Sequence, residues 1–314
     1  MQIITELELE KFSKTKVPRE LNAVEKNFLE SFSNDQDFNR KIRAKMALDN
    51  RLILSKFADK LTSSQIMSNF VPNELLPGRP IIFGSAEELR EIKLPQEFVL
   101  KVNHASGGVI IVSKRAQTAL RLPKIDEVRG SIDWDRYVVH PDNFEVEVAI
   151  KMMSRWLKSS YKQTPNTIRE WAYSQIEPRA FVENYAEDFS LAPRQVEFYC
   201  FQGKVKAAFF SVRSKTLKHS IYKAFFRTEE MNYSRIHSKL SRQRWDQILT
   251  ASEAISSYTD MVRVDWLLTN NGPVFSELTN YPGGGGTSFG DSSLLSSAQN
   301  LDLLSEYWGD LGPY

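Results

Sequence analysis

An α+β fold is predicted by three features of the sequence. From residue 20 to about residue 59, helix-forming residues carry apolar side chains at three- and four-residue spacing. Later, β-branched and aromatic runs come in pairs joined by short loops containing Gly or Asn, the mark of antiparallel hairpins. Strands and helices do not alternate around a GxGxxG turn, so a doubly wound parallel sheet is not expected. At 314 residues the chain exceeds the usual size of one compact core, and about two lobes are expected.

The elements follow in order. ELNAVEKNFLESF and FNRKIRAKMALDNRLILSKF read as helices, with a break at Asn34-Asp35, and Leu61 to Phe70 continues in short helical pieces. VPNELLPGRP is a connector punctuated by Pro and Gly. Residues 1–80 are therefore expected to form a mostly helical N-terminal lobe. Phe98 to Val102 and Val109 to Val112 are strands around a Ser/Gly-rich turn. That shape suits a lid over phosphates, with Lys101 supplying charge, and equally suits an ordinary hairpin with a glycine turn. No GK[ST] follows, so it is not a Walker A loop. Residues 115–143 read as loop, and Glu145 to Trp156 as a helix. Ala180 to Val182 is a strand, and VEFYCFQGKVKAAFFSVRS is a hairpin about Gln202-Gly203. An amphipathic helix over 235–258 precedes the last hairpin, and a final helix follows, with Asp291 or Ser292 as its N-cap candidate.

The last hairpin, RVDWLLTNNGPVFSELT, carries the sharpest chemical signal. Folded about Asn271, it sets Asp265 opposite Glu277 and Arg263 opposite Thr279. Directly opposed side chains lie about 4.5–5.5 Å apart at Cβ, where like charges repel. A cation between the two acids relieves that repulsion, and Mg²⁺, an oxygen-liganded ion, is the natural candidate. A one-residue slip would instead put the acids on opposite faces as ordinary surface charges.

Composition is that of an ordinary globular protein, 41% hydrophobic and 25% charged. The net charge of +2 requires no basic patch, and no nucleic-acid partner is expected. The single cysteine, Cys200, excludes an internal disulfide and reads as a buried thiol. The four histidines, His104, His140, His219 and His237, show no zinc spacing. The opening MQIITELELEKFSK lacks the apolar core of a signal peptide, and no run reaches the roughly 18 apolar residues of a membrane span. A cytoplasmic protein is expected.

Asp59-Lys60, VLKVNHASGGVIIV, EWAYSQIEPR, FVENY, FYCFQGKVK, RVDWLL and FSELTNYPGGGG occur in one order. In this order the chain resembles the ATP-grasp superfamily, and within it the TupA-like group associated with bacterial surface polysaccharides. The resemblance covers about residues 50–290. It implies ATP bound between two β-rich subdomains, a lid subdomain over 81–182 and a C-terminal subdomain over 183–314, with Mg²⁺ on the phosphates. It assigns Lys60 and Lys101 to the nucleotide and the loop Asn103 to Gly108 to the phosphates, with His104, Ser106, Gly107 and Gly108 among the binding residues. Glu183, Asn184 and Tyr185 match the adenine hinge, and Glu197 or Glu187 the ribose acid. Asp265 and Glu277 match the metal carboxylates, and Arg263 an arginine near the transferred phosphate, which with Lys101 is taken as catalytic. Many relatives place an Asn where this chain has Thr279, so Thr279 or the adjacent Asn280 takes the third metal position.

The activity implied is ligation. A carboxylate takes the γ-phosphate to give an acyl phosphate, and an amine displaces phosphate to leave an amide. The resemblance implies a small-molecule or glycan carboxylate, such as a surface-polysaccharide uronate, or a peptide, and an amino acid as the amine. Gly283–Gly286 would place backbone N–H groups around the acyl phosphate, or would serve as a linker. A phosphotransferase and a non-catalytic nucleotide-binding relic are the alternatives. Substrate specificity is expected in residues 115–145 and 213–235.

Overall fold

The computed structural model describes residues 4–33, 37–129, 134–186, 195–213, 220–227, 240–289 and 296–311. Helices α1 (Glu6–Lys14), α2 (Ala23–Glu30), α3 (Phe38–Leu48), α4 (Leu52–Ala58) and α5 (Lys60–Met67) open the chain. Thr5 with Glu8 and Asn22 with Glu25 form capping boxes that satisfy the first N–H groups of α1 and α2. Asn34-Asp35 lies outside the described residues. The helical run predicted from Phe38 to Phe57 is split in two at Asp49. Its carboxylate accepts from the backbone N of Arg51 at 3.2 Å and from Arg51 Nε at 2.8 Å, local bonding that competes with the helix. The freed backbone at Arg51 pairs with Lys16 as an antiparallel bridge.

Two five-stranded sheets follow. The first contains β1 (Ile81–Phe83), β2 (Phe98–Val102), β3 (Val109–Val112), β4 (Arg136–Val139) and β5 (Ala180–Asn184), in the order β1-β5-β2-β3-β4. The second contains β6 (Gln195–Phe201), β7 (Lys204–Arg213), β8 (Ser220–Arg227), β9 (Met261–Thr269) and β10 (Gly272–Thr279), in the order β10-β9-β6-β7-β8. All pairings are antiparallel except β3 with β4. Strand β4 lies within the stretch expected to be loop. Its four residues, RYVV, are too few to show a period, and their strand state comes from pairing with β3.

Helix α6 (Val146–Lys158) buries Val148, Met152, Met153 and Trp156 against Leu100, Val102, Ile110 and Val182 on one face of the first sheet. Its other face presents Val99, Val109 and Ile111. Helix α7 (Arg242–Ser256) covers one face of the second sheet, where Trp245 packs on Phe198 with ring centroids 5.3 Å apart. On the opposite face, Phe38 of α3 meets Tyr199 and Phe201, together with Trp308 of α8 (Ser297–Trp308). The N-terminal helices therefore share one core with the second sheet. Cys200 is buried in that core, and burial pushes its thiol far above its ordinary value, as expected for an inert cysteine. The N-cap candidates Asp291 and Ser292 lie outside the described residues, and α8 is capped by Ser296. No helix among the described residues is long and apolar enough to cross a membrane.

A buried ion cluster fixes α2 to the segment that precedes β5. The Glu25 carboxylate is fully buried and accepts from Arg19 Nη2 at 2.8 Å and Arg169 Nη2 at 2.7 Å. Burial alone would raise its pKa, but hydrogen bonds from Arg169 and from the backbone of Asn22 and Arg169, with the charge of Arg19, bring it down to about 2. The folded state thus favours the ionised form. Its contribution is fully present above the ordinary value of 4.5 and is lost as pH falls through about 2. Glu25→Gln is expected to cost about 3 kcal/mol near neutral pH, because both arginines lose their counter-charge. Urea unfolding followed by circular dichroism should show the gap from wild type narrowing as pH falls below 4.5.

Candidate active site

A cavity of about 250 Å³ lies between the two sheets. Val99, Val109 and Ile111 form one apolar wall, and Leu267 and Val274 from the second sheet form the other. Two flat apolar walls suit a planar ring. Glu183, Asn184, Tyr185 and Ala186 line one edge, while Lys60, Lys101 and Glu277 make another part of the lining polar.

The hairpin register decides what stands beside Glu277, which lines this cavity, whereas Asp265, Glu197 and Arg263 lie behind it and are not part of its lining. Near the turn Gly272 pairs with Thr269, a register that would set Asp265 against Ser276. A bulge at Ser276 inserts one extra residue, and Asp265 then pairs with Glu277 and Arg263 with Thr279. Asp265 also pairs with Glu197 of β6 on its other side. Glu197, Asp265 and Glu277 therefore stand in a row across three strands on one face. The sequence alone does not show that Glu197 joins the row, because that depends on how β6 docks beside β9.

Arg263 holds the row together. Its Nε donates to Asp265 Oδ1 at 2.7 Å and its Nη2 to Asp265 Oδ2 at 2.5 Å, and Nη1 lies 3.4 Å from Glu197 Oε2. Nη2 also reaches Thr279 Oγ1 at 3.3 Å. Asp265 is fully buried, and burial raises its carboxyl against the opposing pull of Arg263. Burial pulls the Arg263 guanidinium down, but Asp265 and Glu197 more than restore it and keep it charged.

The lysines belong to the elements that frame the cleft. Lys101 on β2 is paired with Glu183 across the β2–β5 ladder. Lys60 begins α5 and donates through Nζ to the Ala105 carbonyl of the loop after β2. Burial, set against the attraction of Glu277, lowers the Lys60 ammonium pKa. Asn103 anchors that loop. Its Nδ2 donates to Asp59 Oδ1 at 3.1 Å, and its Oδ1 accepts from Arg179 N at 2.8 Å. Ser106 and Gly107 line the cleft. A Cβ at Gly107 would stand 2.3 Å from the Trp134 carbonyl oxygen, and Gly108 holds φ +65°, so the tip of the loop requires glycine at both positions.

Several expected residues lie elsewhere. His104 does not line the cleft. It is 3% exposed, and its Nε2 lies 3.1 Å from Trp156 O and 3.3 Å from Ser159 O at the end of α6. Asn280 turns to α4, donating from Nδ2 to Leu54 O at 2.7 Å, so Thr279 is the member of that pair on the face of Glu277. The N–H groups of Gly284, Gly285 and Gly286 donate to the carbonyls of Tyr281, Pro282 and Gly283 at 2.8, 3.2 and 3.1 Å. They are consumed within the loop rather than displayed to a phosphate. Glu187 lies outside the described residues.

The donor chemistry of the row fits Mg²⁺, which takes oxygen ligands and is usually completed by substrate phosphates. No group of three or more His, Cys, Asp or Glu among the described residues is arranged to hold a metal unaided.

A family model described as TupA-like ATPgrasp matches residues 40–295. The chain belongs to this family. Its fold is that of ATP-grasp proteins, with helices and two mainly antiparallel sheets. No curated protein matches the chain. Among solved structures it is similar to the D-alanine–D-alanine ligase of Bacillus anthracis, with 14% identity over 82% of this chain and 69% of that one, at a TM-score of 0.37. The VanG D-Ala:D-Ser ligase of Enterococcus faecalis gives 16% identity over 82% and 63%, at 0.43. An L-amino acid ligase from Bacillus licheniformis gives 14% over 92% and 61%, at 0.45. This TupA-like chain thus spans between three fifths and seven tenths of the length of these ligases.

The glycine requirement of the loop is directly testable. Gly107→Ala is expected to destabilise the TupA-like chain by about 1–3 kcal/mol, through displacement of the Trp134 backbone. Gly84→Ala, which meets nothing within 4 Å, should change the unfolding midpoint little. Thermal melts of the two variants against wild type give the comparison.

Proposed function

We propose that the chain is an ATP- and Mg²⁺-dependent ligase that activates a carboxylate as an acyl phosphate and joins it to an amine. The observation that carries this reading is the row of Glu197, Asp265 and Glu277 around Arg263, close to two lysines that line an apolar cleft. Phosphoryl transfer needs positioning and charge neutralisation more than a protein nucleophile, and these residues are of that kind.

In this reading Val99, Ile111, Leu267 and Val274 clasp the adenine, and Glu183 to Tyr185 meet its edge with backbone and side-chain polar groups. Lys60 and Lys101 neutralise the phosphates beneath the Ser106–Gly107 loop. Asp265, whose two oxygens also accept from Arg263, and Glu277 would hold Mg²⁺, which would supply positive charge to the phosphates. Thr279 is the nearer candidate for a third oxygen, and Asn280 requires its bond to Leu54 to open. Arg263 stabilises charge on the transferred phosphoryl group. Glu197 serves the ribose or extends the metal row. The carboxylate as a surface-polysaccharide uronate or a peptide, and the amine as an amino acid, rest on the family resemblance.

Calorimetric titration of a non-hydrolysable ATP analogue should show binding with Mg²⁺ and little with EDTA. Glu277→Gln should weaken the Mg²⁺-dependent binding about tenfold or more. Equal binding with and without metal would rule out the assignment of Asp265 and Glu277. Hydroxylamine trapping during turnover then separates the chemistries, since an acyl phosphate yields a hydroxamate whereas direct phosphorylation of a hydroxyl does not.

A further inference from the structure

Glu170 is a buried acid that the cleft chemistry leaves unused. It is 5% exposed, and no hydrogen bond or ion pair from any described residue reaches its carboxylate. Its backbone is well held, with the carbonyl accepting from Gln163 Nε2 at 3.0 Å and Tyr173 N at 3.2 Å. The side chain is aimed at the loop that follows β10, where a Cβ on Gly284 would stand 3.0 Å from Glu170 Oε1.

The surroundings join this acid to the polar part of the cleft. Tyr161 and Tyr173 pack edge to face at 4.9 Å, and both feel the charges of Glu170 and Glu277. The Tyr161 hydroxyl meets Ser106, which lines the cleft with Glu277. Burial pushes the Glu170 carboxyl up to about 7, and only Lys162, itself exposed, pulls the other way. A largely buried carboxylate with no partner among the described residues is costly, and a bound cation is one way to complete it, although its oxygens are not among the fully buried unpartnered polar atoms.

We propose that Glu170 is the counter-ion for the ammonium group of the amine substrate, in a subsite between Tyr161, Tyr173 and the Gly284 loop. The proposal rests on the ligase reading above. A cation is the chemistry the site lacks, and tyrosine ring faces add to its attraction. A substrate carboxylate would meet a like charge. A divalent metal would need further acidic ligands, and none group with Glu170 among the described residues.

The test uses the full chain with Mg²⁺ and a non-hydrolysable ATP analogue. Thermal unfolding is followed with a pool of amino acids and with a pool of the matching 2-hydroxy acids, which keep the carboxylate and lose the ammonium. The amino acids should raise the midpoint and the hydroxy acids should not. For the amino acid that acts, Glu170→Gln should weaken calorimetric binding about tenfold or more, with binding of the ATP analogue unchanged. Glu170→Asp should fall between the two. The proposal is overturned if neither pool acts on the wild type, if both act equally, or if Glu170→Gln binds the amine as wild type does. Should that variant fail to fold, the two wild-type pools still decide. Loss of nucleotide binding with the amine effect intact would instead sink the ligase reading and spare the ammonium site.

Discussion

The guanidinium of Arg263 is what allows three carboxylates to stand side by side on the second sheet. Without it, Asp265 would be a fully buried anion between two others, and burial of an uncompensated charge costs several kcal/mol. With it, Asp265 has both oxygens occupied and Glu197 has a partner. Glu277 is left to Lys60 and to the cleft. The bulge at Ser276 is the backbone device that makes the row possible, because the turn alone would have placed Ser276 beside Asp265.

The framing elements are tied in the same economical way. Helices α4 and α5 pack into the core of the second sheet, yet Asp59, the N-cap of α5, accepts from Asn103 of the loop that follows β2 of the first sheet. Asn103 in turn grips the backbone of Arg179 just before β5. One buried amide therefore links the start of Lys60's helix, the start of the Asn103–Gly108 loop and the strand that carries Glu183. His104 docks that loop onto the end of α6 and so serves the same framework.

Much of this was legible in the residues. NNG between apolar runs marked the hairpin, and counting outward from Asn271 paired Asp265 with Glu277 as the structure does. The count succeeded because the bulge compensates a tighter two-residue turn, a detail that hydrophobic alternation does not encode. Strands β4 and β8 were missed because each depends on a neighbour strand for its state. His104 and Asn280 turn away from the cleft for a different reason. Sequence order puts them beside cleft residues, but their side chains bond to carbonyls of α6 and α4, elements that only tertiary packing brings near. Glu170 sits in EWAYSQIEPR, and nothing in that string shows that it is buried with no partner for its carboxylate among the described residues.

The Asp59–Asn103 link also sets how the two sheets can move. With the neighbouring bond from Lys60 N to Asn103 O at 3.3 Å it can serve as a fulcrum, because a tilt of the first sheet against the second would turn about this point or break these bonds. Displacement grows with distance from a fulcrum, so the far rim of the cleft would sweep widest. Lys60, next in the chain to Asp59, would stay almost still. The ammonium of Lys60, which donates to the Ala105 carbonyl of the first-sheet loop and is attracted by Glu277 of the second sheet, lies beside this link, so its surroundings would change least in such a tilt.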